Sequence, residues 1–275
     1  MKRLSALLLA VLMAVPLALA PAGAEEQAPA HLAFAVYAAG FNVLNIDSDL
    51  DLGGPGYRID LSYRTAGLFG TLFRSEINSF VQGFWADSRP EPLRFASWGV
   101  LRGNTRRTTI DYQAHQPVIR ALEPAQEADR DPVPPAMQHD TIDTLSAMAL
   151  LVRQVASTGR CDGRVATFDG RRASEITART GGEEELRADY HSSFHGRALR
   201  CDIEGRQIGG FQHDTDEAEL HKIHYSTAWL ARVVPGAPAL PVRVVFETRF
   251  FGHATAYLTE ARPGHATASA TGAAR

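Results

Sequence analysis

The sequence predicts a mainly β protein: an antiparallel sheet, curved as an open barrel or spiral, with one main helix packed on it. Three observations carry this. Apolar and polar residues alternate with period two in many short runs. Turn residues separate those runs at hairpin spacing, with no βαβ rhythm between them. Only one stretch shows a helical repeat.

Leu32, Phe34 and Val36 supply the first strand. Residues 44 to 52 alternate most clearly, with Leu44, Ile46, Leu50 and Leu52 on one side and Asn45, Asp47, Asp49 and Asp51 on the other. The turn Gly53-Gly54-Pro55-Gly56 leads into Tyr57, Ile59, Leu61 and Tyr63, alternating against Arg58, Asp60, Ser62 and Arg64. That pair reads as an antiparallel hairpin. Residues 74–86, 93–101 and 105–112 read as further strands, with Pro90 and Pro92 marking a loop.

Four prolines between Leu122 and Gln138 interrupt regular structure, and a helix follows. Asp140 is available as its cap and Asp143 falls in its first turn, where a negative charge is favoured. Ile142, Leu145, Ala149, Val152 and Ala156 form one apolar face, widened by Met148 and Val155, and Gly159 offers a left-handed stop. Strands resume at 164–168, and Asp169-Gly170 is a hairpin dipeptide. Runs at 174–178, 186–192, 197–204, 227–234, 242–250 and 254–259 bring the total to about a dozen, with Gly181-Gly182 read as a turn.

The N-terminus has the form of an export leader: Lys2 and Arg3, an apolar run from Leu4 to Leu19, then Ala22-Gly23-Ala24. Cleavage after Ala24 is expected. Residues 1–24 are then a signal peptide, 25–29 a flexible lead, 30–262 a single β-rich domain and 263–275 a disordered tail rich in Ala and Thr. The expected location is the periplasm, and no later segment is apolar enough to span a bilayer as a helix. Apolar residues at 45% and charged residues at 21% are ordinary globular usage, which excludes a fibrous or disordered chain. The net charge of −3 offers no basic excess for nucleic acid.

Export makes the cysteines legible. Cys161 and Cys201 are the only two, and an oxidising compartment favours their pairing over two buried thiols. A zinc site would need paired spacings that are not there.

Five of ten histidines fall between His191 and His224. A metal bound there with Asp214 or Asp216 would make a hydrolase or metal-dependent enzyme, the second reading, although no recognised ligand spacing occurs. Neither Gly-x-Ser-x-Gly nor Ser-x-x-Lys is found, so no catalytic, metal or cofactor residue is assigned. Ser146 lies inside the helix, where a hydroxyl bonds the preceding turn or a neighbouring strand. Arg102, Arg106 and Arg107 form a basic cluster that fits a lipid headgroup, another anion or plain solvent. Leu44, Leu50, Tyr57, Leu61, Phe80, Phe95 and Trp98 would line either a packed core or a cavity for an apolar ligand.

Several short motifs in order resemble one exported bacterial family. They are Gly40 after the first strand, the 57–64 strand with Thr65-x-Gly67, Arg89-Pro90 leading to Phe95, Asp143-x-Leu145-Ser146-Ala147, and Leu240-Pro241-Val242. The family is domain of unknown function 3108. Cys161, Phe168-Asp169-Gly170-Arg171-Arg172 and Cys201 look like its alphaproteobacterial members; Met148 and Ala149 stand where an aromatic is expected. The resemblance implies a periplasmic β-rich protein and brings no catalytic residues. More remotely, the plan is similar to spiral-barrel envelope-integrity proteins and lipoprotein carriers. The reading is a non-enzymatic protein of cell-envelope homeostasis, without cofactor, holding a lipid or other apolar ligand in its concave sheet. Lipid, lipoprotein or another envelope protein are its expected partners.

Overall fold

The computed structural model describes residues 27–125, 130–220, 222–248 and 252–265. The segment read as an export leader lies outside them. Among the described residues, thirteen strands form one antiparallel sheet. They are β1 Ala30–Ala38, β2 Phe41–Asp51, β3 Gly56–Thr65, β4 Glu76–Ala86, β5 Arg89–Leu101, β6 Asn104–Gln113, β7 Gln116–Glu123, β8 Gly163–Phe168, β9 Ala173–Leu186, β10 Gly196–Gly209, β11 Ile223–Ala231, β12 Leu240–Thr248 and β13 Gly252–Pro263. The long helix is α3, Thr144–Thr158; α1 (Gly67–Leu72), α2 (Pro135–Gln138) and α4 (Glu217–Leu220) are single turns or little more.

The chain starts in the middle of the sheet. β1 to β7 meander outward to one edge, and β8 begins at the other edge and meanders back until β13 pairs with β1. Curvature brings the edges β7 and β8 together with a seam between them. Free strand edges are a liability unless covered, and residues 130–143 cover these. Asp131 N–H donates to Phe211 O, Asp140 N–H to His115 O at 3.0 Å, and Ile142 N–H to Ala166 O, while Phe168 N–H donates back to Ile142 O. The Asp169-Gly170 turn fits against Thr108, Ile110 and Leu122 across the seam; a Cβ at Gly170 would lie 2.9 Å from Thr108 Cγ2. The result is a nearly closed barrel.

The seam also explains where α3 starts. Ile142 is held extended as a bridge to Thr167 of β8, so Asp143 is the cap, its carboxylate accepting from Leu145 and Ser146 N–H. Asp140, expected as a cap, has a positive φ of 59° and lies in the preceding turn. Gly159 ends the helix at φ 68°, as its position in the sequence suggests.

The concave side of the sheet is filled. Ala149, Val152 and Val155 of α3 bury themselves against Leu50, Tyr57, Ile59, Val81, Phe95, Ile110 and, from the second half, Phe168, Leu230, Leu240 and Val242. Burying each large side chain contributes about 1.5–3 kcal/mol. Cys161 and Cys201 form a disulfide that ties the segment after α3 to β10.

Several elements differ from the sequence reading. β5 starts at Arg89, so Pro90 and Pro92 lie in a strand. They are tolerated because β6 pairs with β5 only from Arg94 onward, leaving that part of β5 unpaired on one side. β7 carries no sequence signal because its hairpin turn is Ala114-His115, two non-glycine residues at positive φ. Gly181-Gly182 is not a turn: β9 runs on to Leu186, and the register shift opposite Arg200/Cys201 makes the pair a bulge. Residues 187–195 are consequently a loop rather than a strand. At the ends, Ala28 N–H donates to Gly236 O and Gly264 N–H to Pro29 O. Residues 27–29 and 263–264 are therefore tied to the barrel, and β13 takes in Pro263. Residues 266–275 lie outside the described part.

Candidate cleft at the barrel mouth

The point where β5 lacks a partner positions the site. β4 and β5 continue to their hairpin at Asp87-Ser88, while β6 leaves β5 at Asp111 and continues with β7 alone. The gap is a cleft of about 480 Å³ between Phe84, Ala86 and the Arg89–Leu93 edge on one side and Tyr112, Ala114, His115 and Asp140–Ile142 on the other. A volume of that size suits a small organic molecule. Pro90 and Pro92 bring no N–H to this edge, so it is poorly suited to adding a strand from a partner.

Buried Pro90, Pro92, Thr141 and Ile142 make the inner lining, and exposed Phe84, Leu93 and Arg89 stand at the rim. Glu91 and His115 face each other across the cleft at 3.1 Å. Asp140 is turned to His139 at 2.8 Å. The Tyr112 hydroxyl is buried and has no hydrogen-bond partner among the described residues. Burial pushes its phenol up, with the Asp143 carboxylate adding to the effect.

Behind the cleft lies a sealed polar chain. Ser146 Oγ donates to Asp143 Oδ2 at 2.6 Å and stands 2.7 Å from the Tyr57 hydroxyl. With Asp143 ionised, the proton order is Tyr57 to Ser146 to Asp143, and every group is satisfied. Burial pushes the Asp143 carboxyl up to about 6, against the hydrogen bonds that pull it down. Tyr57 is pushed up too, chiefly by burial. Its ring packs on Trp85 at 4.8 Å, and the Arg153 guanidinium covers Trp85 at 4.3 Å. The serine and aspartate side chains are fully buried, so this chain joins helix to wall and no substrate reaches it.

The apolar residues expected to face a ligand divide in two. Leu50, Tyr57 and Phe95 are buried in the core against or near α3, and Leu44 and Leu61 are half-buried on the same side. Phe80 and Trp98 are on the opposite, convex face. Phe80 is next to fully buried Val81, and strand neighbours alternate. Its ring meets Trp98 at 6.1 Å and lies under the Arg58 guanidinium, while Trp98 is 44% exposed.

The histidines are dispersed. His191 stacks between Tyr190 and Tyr257 and binds Asp189 at 2.8 Å, His195 is exposed, His213 meets Asp131, and His224 lies 4.0 Å from Glu247. His221 is outside the described residues. Among the described residues no three His, Cys, Asp or Glu side chains are placed to hold a metal ion, and no helix is long and apolar enough to cross a membrane. Sequence reasoning missed Tyr112, Glu91 and His115; the one available signal was Pro90-x-Pro92, which marks an edge without a full set of donors.

Fold and cleft together define an antiparallel barrel wrapped on an internal helix, with a pocket at its mouth. A family model described as protein of unknown function DUF3108 matches residues 33–259, and the chain belongs to that family. No curated protein matches it. Among solved structures, a beta-barrel-like protein of domain of unknown function DUF1849 from Brucella abortus is similar, with a TM-score of 0.49 and 13% identity, covering 86% of this chain and 98% of that one.

Proposed function

We propose that this is an exported, periplasmic, non-catalytic binding protein of the cell envelope, and that its ligand occupies the mouth cleft rather than the concave sheet. The concave sheet is already filled by α3. The observation that carries the reading is the cleft of about 480 Å³ where β5 parts from β6, lined by apolar Phe84, Leu93, Pro90, Pro92 and Ile142 together with polar Arg89, Glu91, His115, Asp140 and Thr141. A ligand with an apolar body and a polar group suits this lining: the body covers the apolar walls, and the polar group meets Arg89 or the Glu91–His115 pair. The leader supports export, and the disulfide is of the kind an oxidising compartment keeps. The sealing of Ser146 and Asp143 supports a role in binding without chemistry.

The test is titration of the mature protein with the fluorescent apolar anion anilinonaphthalene sulfonate. One saturable site is expected. Leu93→Trp, which narrows the cleft, should abolish it, and Arg89→Gln should weaken it about fivefold, the value of one hydrogen bond to the sulfonate. Binding that both variants leave intact would refute the assignment.

A further inference from the structure

The opposite end of β4 from the cleft carries a second surface. There α1, the β1–β2 hairpin and the β5–β6 hairpin are laced together: Ala66 N–H donates to Val43 O at 3.1 Å, Gly103 N–H to Arg74 O at 3.1 Å, and Arg102 N–H to Ser75 Oγ at 3.0 Å. This shared tip holds three apolar side chains out into solvent, Phe41 at 63%, Leu68 at 72% and Phe73 at 54% exposed. Large apolar groups gathered at one exposed tip mark an interaction surface.

Arginines surround them. Arg64, Arg74 and Arg102 are all exposed. One carboxylate, Glu76, lies opposite Arg64 in the β3–β4 register and 3.6 Å from Arg74. The tip therefore carries a net positive charge on a chain whose overall charge is −3.

We propose that this tip docks the protein onto an anionic bilayer surface, with Phe41, Leu68 and Phe73 entering the headgroup–acyl boundary and the arginines at the level of the lipid phosphates. Two features favour a bilayer over a protein. The apolar groups, at the start of β2, in the single turn α1 and just after it, are more than half exposed rather than sunk in a groove, so they suit a soft surface that closes around them. A two-fold contact with a second copy would place the same arginines against one another. The proposal does not use the cleft and stands independently of the function assigned to it.

The experiment is co-sedimentation of the mature protein with vesicles of phosphatidylglycerol and, separately, of phosphatidylcholine. Binding is expected on the anionic vesicles, weakening as salt is added. Each neutralised arginine should lower the partition coefficient about fivefold, so Arg64→Gln, Arg74→Gln and Arg102→Gln combined should leave little preference for phosphatidylglycerol. Leu68→Ser with Phe73→Ser should lower binding to the same vesicles. Arg164→Gln, on β8, should change nothing. All six positions are exposed, and circular dichroism with a thermal melt confirms that the variants fold. Absence of binding to phosphatidylglycerol, or binding by the variants equal to wild type, overturns the proposal. So does concentration-dependent dimerisation that Leu68→Ser with Phe73→Ser abolishes, which would assign the tip to a second copy.

Discussion

Replacing Asp143 by asparagine should remove a pH dependence of stability that this one carboxyl imposes. The side chain is fully buried at the cap of α3, and burial raises it from an unfolded value of 3.8 to about 6. A carboxyl raised on folding binds its proton more tightly in the native state. The stabilisation is therefore complete below about pH 4 and is lost as pH rises through about 6. The difference of roughly two units corresponds to about 3 kcal/mol. Asparagine keeps the shape and the cap acceptor for Leu145 and Ser146 N–H, so the fold survives, but it does not titrate. Urea titrations of wild type and Asp143→Asn from pH 4 to 7.5 isolate the effect, because every other titrating group cancels in the difference. The wild type should lose about 3 kcal/mol relative to the variant across that range. Asp111, Asp162 and Asp189, held low by their hydrogen-bond donors, act only at lower pH. Parallel pH profiles would refute the reasoning and show that Asp143 meets enough polarity to remain ionised at little cost.

Asp143→Ala removes the same titration and, measured against Asp143→Asn, should lose a further ~1 kcal/mol for the cap and about 1–3 for the hydroxyl left without its acceptor, at any pH. Replacing both Cys161 and Cys201 by serine opens a loop with a sequence separation of 40; the chain-entropy model gives a loss of about 4 kcal/mol, read from the denaturation midpoint. Gly83→Ala would put a Cβ 2.5 Å from the Glu91 carbonyl and 2.7 Å from the Tyr57 ring. It should destabilise by about 1–3 kcal/mol, in contrast to an alanine at an open glycine such as Gly205, which has only His224 O at 3.9 Å. Ile110→Ala removes a fully buried side chain that also touches the seam turn. A loss of about 2–5 kcal/mol is expected, with earlier proteolysis at the seam.

Much of the fold is legible along the chain because alternation and turn chemistry are local. Leu50, Leu52, Tyr57 and Ile59 announce their face by parity, Asp169-Gly170 its turn, and Gly159 its helix end. The failures are local as well. Ala114-His115 turns without turn residues, since the paired strands β6 and β7 hold it there. Pro90 and Pro92 sit in a strand because a neighbour is missing on one side, and no local signal reports a missing neighbour. Phe80 and Trp98 look apolar enough for the core, yet parity, set by partners far away in sequence, sends them outward.

By itself the sequence determined a pair of cysteines, an antiparallel sheet and one helix, since composition and periodicity act within a few residues of each position. Only the tertiary structure decided that the helix fills the concave face, that β5 parts from β6 to open a cleft beside Tyr112, and that Phe41, Leu68 and Phe73 meet at one tip. Each of those depends on sheet register and curvature, which bring together residues that are distant along the chain.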